Sequence, residues 1–177
     1  IYLYVNNVSA AYSISTALNN WYNVLYVFDG MGVTNADKLK LYVNGTEITA
    51  SSFSGTVPTS IGAFTSAMDS KIGALFNNTF FFRGNIDEVC ILDRVVTPTE
   101  IATLSTAPTV DLTSLNSIAW YRMGDNGSWK SPQWLIPNNE NKDKVSNYSF
   151  EFDGIDDRVQ LSSDFVASGE FTLSFWM

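Results

Sequence analysis

Apolar and polar residues alternate with a period of two along most of the chain, and turn residues interrupt the alternation every dozen residues or so. β-Branched and aromatic residues fill these alternating runs, which is typical of half-buried β-strands. The predicted strands are 1–5, 11–15, 21–28, 38–43, 47–49, 71–75, 85–94, 118–123, 149–152, 158–161 and 170–176. Many short strands separated by polar turns predict an all-β fold, a two-sheet antiparallel sandwich of the jelly-roll kind.

Two local signals are specific. Asn44-Gly45 separates two predicted strands and is the pair that a two-residue hairpin turn favours, because both central residues need a positive φ. Thr97 and Glu100 have the spacing of a capping box, with Pro98 at the first helical position. We therefore predict one short helix near 98–105.

The chain after this helix is irregular. Residues 106–117 are rich in Pro, Thr and Ser, and residues 124–147 carry two prolines and a polar run. We interpret 106–146 as a linker followed by a loop that contains Trp129 and Trp134. Because the sequence starts and stops inside predicted strands, we expect it to be a segment of a longer protein.

Composition excludes several classes of function. The net charge of −8 disfavours nucleic acid as a partner, and no apolar run approaches the roughly 20 residues that a membrane-spanning helix needs. The chain has no His and one Cys, which rules out a Ser-His-Asp triad and the usual zinc or copper sites. Cys90 lies in an apolar run and is predicted to be a buried thiol.

A family resemblance follows from an ordered set of motifs. The segments WYNVLYVFDG (21–30), LKLYVNGT (39–46) and FRGNIDEVCIL (82–92), followed by the capped helix, resemble the C-terminal two thirds of a laminin-G-like domain. The segments SFEFDGIDD (149–157) and FTLSFWM (171–177) resemble its first third. This resemblance to the concanavalin A-like lectin/glucanase superfamily implies a jelly-roll sandwich. The spacer-like middle is similar to phage and marine bacterial surface proteins.

The segments stand in permuted or tandem-fragment order, because the first third of the family pattern comes last here. Residues 1–105 alone would leave open sheet edges, so we expect 147–177 to complete the same sandwich or that of a neighbour. The strand of Phe150 and Phe152 should lie beside 85–92 with both rings inward, and Ile1 should lie near Met177. Incomplete terminal strands also predict head-to-tail self-association.

Acidic residues give a candidate metal site. Asp153, Asp156 and Asp157 surround Gly154, and carboxylate turns of this kind bind Ca²⁺. The resemblance adds Asp87, at the place where related sandwiches hold a structural calcium ion. The alternative is a solvated turn, together with an Asp87 that accepts hydrogen bonds from backbone N–H groups.

The same turn raises the question of catalysis. Glu151, Asp153 and Asp156 approximate the Glu-x-Asp-x-x-Glu strand of laminarinase-type hydrolases, in which two carboxyls about 5–5.5 Å apart cleave the sugar bond. Here the third acid is Asp, one methylene shorter, and it follows a glycine. A second segment of aromatic and acidic residues is also missing from the sequence. We therefore expect no enzyme activity, with a glycoside hydrolase or lyase of the same fold as the alternative.

Aromatic residues supply candidate ligand contacts, because sugar C–H faces stack on rings. We assign Trp21, Tyr22, Trp129 and Trp134 as ligand-binding residues. Most other strand aromatics should pack in the core, although three tyrosines are further candidates for a sugar platform: Tyr2, Tyr4 and Tyr12. The sequence predicts an extracellular, cell-surface or virion adhesion module that binds a glycan or a surface protein, with a purely structural role in a fibre as a further alternative.

Overall fold

The computed structural model describes residues 1–61, 71–74, 81–106, 111–122, 150–153, 155, 159–160 and 170–177. Strands make up most of its regular structure. They are β1 Tyr2–Val5, β2 Val8–Ala11, β3 Asn23–Phe28, β4 Leu39–Val43, β5 Thr46–Ile48, β6 Ser52–Phe53, β7 Lys71–Ile72, β8 Arg83–Leu92, β9 Ala119–Tyr121, β10 Phe150–Asp153, β11 Val159–Gln160 and β12 Phe171–Trp176. The helices are α1 Asn35–Lys38, α2 Pro98–Leu104 and a 3-10 turn, Thr113–Leu115.

The strands pair antiparallel in two main sheets, which confirms the predicted all-β sandwich. The large sheet has the order β10-β8-β12-β3-β4-β5, with β9 added on β8, and the small sheet has the order β1-β2-β6. β7 and β11 form a separate pair. The β4–β5 hairpin has the predicted turn, because Asn44 and Gly45 both adopt a positive φ, of 49° and 77°.

The last described strand lies in the middle of the large sheet. β12 pairs with β3 along one edge and with β8 along the other, so that Leu173 is opposite both Tyr26 and Ile91. β10 pairs with the first half of β8, as predicted for the strand of Phe150. The described segments from 150 onward therefore complete the sheet that β3, β4 and β8 begin. The side chains of β10 lie outside the described residues, so the inward position of the Phe150 and Phe152 rings stays a prediction.

The core between the sheets is apolar and aromatic. The Phe171 ring stacks on Phe28 at 5.8 Å between centroids and meets Tyr26 edge-on at 5.4 Å. Two hydroxyls also link the layers: Tyr12 donates to the Leu39 carbonyl at 2.8 Å, and Tyr26 donates to the Tyr4 carbonyl at 3.2 Å. Ile1 and Met177 both pack on this cluster.

A second apolar cluster covers the opposite face of the large sheet. Leu104 of α2 packs there, and α2 has the predicted capping box, in which Thr97 and Glu100 bond each other's backbone N–H groups. Leu112 and Leu115 are buried in the same cluster. The described part of the predicted linker, 111–122, is thus packed on the sheet, because these leucines and β9 need apolar partners.

Other differences from the prediction are local. The second strand is 8–11 rather than 11–15, because a tight turn at Asn6, with φ of 51°, brings β2 directly back along β1. α1 was not predicted, although Thr34 and Asp37 form a capping box there. Within the described ranges, no helix has the length and apolar character needed to cross a membrane.

Candidate functional site

A cleft lies at one end of the large sheet, where three neighbouring strands meet. Because the strands are antiparallel, β3 begins, β12 ends and β8 begins at the same edge of the sheet. The ladder continues one step beyond the strands: Tyr22 N–H donates to the Met177 carbonyl at 2.8 Å, and Met177 N–H donates to the Tyr22 carbonyl at 3.0 Å. The position of β12 therefore determines the shape of the cleft at this end of the sheet. We call it the rim cleft.

The rim cleft has a volume of about 420 Å³, at the lower end of the range for small-molecule sites. Its walls come from the loop before β3 and from the start of β8, and its polar and aromatic lining includes Asn19, Asn20, Trp21, Tyr22, Arg83 and Asn85. An aromatic ring among several amides can contact the C–H face and the hydroxyls of one sugar at the same time.

The structure brings two of the predicted ligand-binding residues together in the rim cleft. Trp21 is 42% exposed, whereas Tyr22 is half-buried. The Tyr22 hydroxyl accepts a hydrogen bond from the Ala17 N–H at 2.8 Å, which fastens the loop that carries Asn19. Trp129 and Trp134 lie outside the described residues.

The sequence did not single out Arg83 and Asn85 as site residues. Both are exposed at the start of β8, opposite Asp153 and Glu151 of β10. The available signal was the polar run FRGN before an apolar strand, which places two polar side chains at a strand end. Arg83 and Asn85 come close to Trp21 because β12 pairs with both β8 and β3, and the polar run alone does not predict this placement.

Of the four predicted metal residues, the structure describes the side chain of Asp87 only. Asp87 is buried, and its Oδ1 accepts a hydrogen bond from the Glu88 N–H at 2.8 Å, which was the alternative given from the sequence. Asp153 is opposite Arg83, four positions along β8 from Asp87, or about 13 Å at strand spacing. Asp156, Asp157 and the side chain of Asp153 lie outside the described residues.

Within the described ranges, no group of three His, Cys, Asp or Glu side chains is arranged to hold a metal ion. Calcium binding at the 153–157 turn stays a prediction from the sequence.

Glu88 is a buried acid that sequence reasoning missed. It has a φ of 49°, and the pairing of β8 with β12 shifts register at this point, as a β-bulge does. Trp120 Nε1–H donates to Glu88 Oε2, and Arg122 Nε–H donates to Oε1 at 3.3 Å. The Arg122 guanidinium lies 4.9 Å from the centre of the Trp120 ring. We call these three residues the Glu88 cluster.

Burial, with a smaller contribution from the charge of Asp87, raises the pKa of Glu88 to about 7. The hydrogen bonds from Trp120 and Arg122 lower this pKa, but they do not offset the loss of hydration. Both Glu88 oxygens face donors from β9 or the residue just after it, so the carboxylate ties β9 to β8. The signal available in the sequence was the pair of adjacent acids in an apolar strand. In a regular strand, adjacent side chains point to opposite faces, so only one of the two acids could face solvent on a given side.

Comparison with known proteins adds a family. A family model described as the concanavalin A-like lectin/glucanases superfamily matches residues 2–102, more than half of the chain. No curated protein and no solved structure matches the chain. The matched residues run from β1 into α2 and include both walls of the rim cleft, whereas β12 lies beyond the match.

Proposed function

Since the chain belongs to the concanavalin A-like lectin/glucanase superfamily, we propose that it is a non-catalytic module that binds carbohydrate in the rim cleft. The family includes both binding modules and sugar-cleaving enzymes, so the residues of the site are needed to distinguish the two functions. The proposal places the protein outside the cell, on a cell or virion surface, where glycans are the available partners.

The exposure of Trp21 is the observation that carries the proposal. Phe28 and Trp176 of the central strands are buried, and Tyr26, Phe171 and Phe175 are partly buried, because a sandwich core needs their apolar area. Trp21 instead keeps 42% of its surface open beside the side chains of Asn20 and Asn85. An exposed ring among the amide side chains that line a cleft suits sugar recognition, because the sugar can stack on the ring and accept or donate hydrogen bonds at the amides.

The nature of the other side chains favours binding over hydrolysis. A glycoside hydrolase needs two carboxyls that flank the bond, one of which acts as an acid. Among the described residues that line the rim cleft, none is Asp or Glu. Glu88, whose pKa is raised, is buried with both oxygens facing Trp120 and Arg122, so it is unavailable to a sugar.

A glycan array, followed by titration calorimetry with the oligosaccharide that binds best, tests the proposal. Trp21→Ala should weaken binding at least tenfold, whereas Leu18→Ala should leave it within about twofold, because Leu18 lines the same cleft without a ring. Both variants should melt at the wild-type temperature.

Equal affinity in Trp21→Ala and wild type would contradict the proposed site. Release of reducing sugar from the bound oligosaccharide would favour the hydrolase alternative. A fully negative array would favour a structural module, for which a concentration-dependent increase in mass, measured by sedimentation, is the positive sign.

A further inference from the structure

The strand β1 ends the small sheet, and no described strand pairs with its outer edge. Ile1 and Tyr12 exchange two backbone hydrogen bonds, of 2.9 and 2.8 Å, so the N–H and C=O of Ile1 point toward the β2 side. In an antiparallel ladder, successive residues direct these groups to alternate sides. The N–H and C=O groups of Tyr2 and Tyr4 therefore point away from β2, along what we call the open edge.

Two further contacts agree with this direction of the backbone groups. Tyr4 is opposite Ser9, and the Ser9 carbonyl accepts a hydrogen bond from the Ser54 N–H at 2.9 Å, on the β6 side. The Tyr4 carbonyl accepts a hydrogen bond from the Tyr26 hydroxyl at 3.2 Å, and its second lone pair can accept another. The open edge thus presents two N–H donors and two C=O acceptors to an added strand.

The open edge lacks the features that keep sheet edges apart. Natural edge strands carry charged residues, prolines or bulges that prevent pairing. The two edge strands of the large sheet follow this rule, since β5 contains Glu47 and β10 contains Glu151 and Asp153. β1 has the sequence YLYV and pairs with β2 without a shift in register. Because each chain has a net charge of −8, β1 is the one of these three edges at which two chains meet without facing acids.

The sequence at this edge is nearly the same in both directions. Residues 1–5 read Ile-Tyr-Leu-Tyr-Val, with Leu3 at the centre. A twofold axis at Leu3 places Tyr2 opposite the partner's Tyr4, so the outward backbone groups of the two copies face each other. Leu3 and Val5 are buried on the inner side, whereas Tyr2 and Tyr4 are 67% and 56% exposed on the outer side. This pairing therefore brings apolar side chains together on one face and aromatic rings on the other.

We propose that two copies of this chain associate by antiparallel pairing of β1 with β1, which joins their three-stranded small sheets into one continuous sheet. Each Tyr2 and Tyr4 N–H donates one hydrogen bond across the twofold axis. This inference does not rest on the sugar site, because β1 and the described lining of the rim cleft share no residue.

The area of the contact sets its strength. The two tyrosines expose roughly 250 Å², from about 200 Å² for a whole side chain, whereas a stable interface buries about 800 Å² per partner. The dimer is therefore reversible and forms at high protein concentration.

Sedimentation velocity from about 10 μM to about 1 mM measures the association. The mass should rise from one chain toward two and stop there, because each copy uses the same edge and the pairing is closed. Amide exchange followed by NMR locates the contact. The Tyr2 and Tyr4 amides should exchange several-fold more slowly at high concentration, whereas the Leu3 and Val5 amides, which face β2, should not change.

Paired charge substitutions test the antiparallel register. Tyr2→Lys/Tyr4→Lys places like charges opposite each other and should raise the dissociation constant at least tenfold. Tyr2→Glu/Tyr4→Lys places a glutamate opposite a lysine at both positions and should restore the constant to within about threefold of wild type. Met31→Lys/Val33→Lys is the matched control and should leave it unchanged, since both residues are apolar and are 83% and 91% exposed in a loop elsewhere.

Circular dichroism melts check that each variant is folded. Monomeric wild type at about 1 mM overturns the proposal and would leave the open edge to a strand of another protein. A dimer that Tyr2→Lys/Tyr4→Lys does not weaken, or that Tyr2→Glu/Tyr4→Lys weakens equally, also overturns it. Growth beyond two chains would contradict the closed dimer and would favour the head-to-tail association expected from the terminal strands.

Discussion

The two halves of β8 carry polar residues for different reasons. At its start, Arg83 and Asn85 are exposed and line the rim cleft, whereas two to five residues later Asp87 and Glu88 are buried. The difference lies in the surroundings of each half. Solvent and a loop lie beside the first half, whereas β9 and backbone N–H groups lie beside the second half. Acidic residues in a sugar-binding family are therefore not in themselves a sign of catalysis.

The bulge at Glu88 separates these two environments. A regular strand would place Asp87 and Glu88 on opposite faces, whereas the register shift and the left-handed φ of 49° at Glu88 let both side chains be buried. A positive φ at a residue with a Cβ costs of order 1 kcal/mol, which the hydrogen bonds of the Glu88 cluster must offset. The following predictions test whether this half of β8 acts only in stability and the other half only in binding.

The largest expected contrast in stability comes from replacing two tryptophans by phenylalanine, one beside each half of β8. Trp120→Phe removes the N–H that donates to Glu88 and leaves a small cavity, so the free energy of unfolding should fall by about 3–5 kcal/mol. Trp21→Phe should change it by less than about 0.5 kcal/mol, because Trp21 is exposed. Urea unfolding at pH 8 measures both. A loss below about 1 kcal/mol in Trp120→Phe would show that the Glu88 cluster contributes little.

The pH dependence of stability is the next largest effect. The pKa of Glu88 in the folded protein, about 7, lies above the ordinary value of 4.5, so the folded state binds this proton more tightly. The stability from protonated Glu88 is complete below about pH 4.5 and is lost as the pH rises through 7. Between pH 5 and pH 8, the free energy of unfolding should therefore fall by about 2–3 kcal/mol.

Glu88→Gln is the control for this titration. Glutamine keeps the size of the side chain and cannot ionise, so the variant should show a much flatter stability profile between pH 5 and pH 8. The same slope in wild type and in Glu88→Gln would contradict the assignment of the effect to Glu88. Glu100 does not interfere, because its bond with Arg94 lowers its pKa to about 2, outside this range.

At the cleft end of β8, we expect an effect on binding without an effect on folding. Arg83→Ala should weaken the oligosaccharide that binds wild type by about three- to tenfold, since Arg83 lines the cleft and donates hydrogen bonds. The melting temperature should stay within about 2 °C, because Arg83 is exposed. Unchanged affinity would restrict the sugar site to the side of the cleft that Trp21 occupies.

Calcium gives the smallest expected effect. If the carboxylates of 153–157 bind Ca²⁺, as the sequence predicts, excess calcium should raise the melting temperature by about 2–4 °C relative to EDTA, or about 1 kcal/mol. Asp156→Asn is the matched variant and should remove the rise. Superimposable melts of wild type in calcium and in EDTA would contradict a metal site in this protein.

The regular parts of the fold were predictable because local signals agree with the final packing. The Asn44-Gly45 hairpin, the capped α2 and the pairing of β10 with β8 all follow from periodicity, turn chemistry or the family resemblance. The Glu88 bulge was not predictable, because the burial of two adjacent acids depends on Trp120, more than 30 residues away. For the same reason Trp21 was a candidate from the sequence, but its neighbours across the cleft were not.

Placement of β12 between β3 and β8 is the central claim, since the rim cleft exists only where these three strands meet. Amide hydrogen exchange of dilute, monomeric protein tests it most directly. The amides of Phe171–Trp176 should exchange as slowly as those of β3 and β8, because β12 pairs along both edges. Exchange of these amides at the rate of an unstructured peptide, with β3 and β8 still protected, would contradict the account.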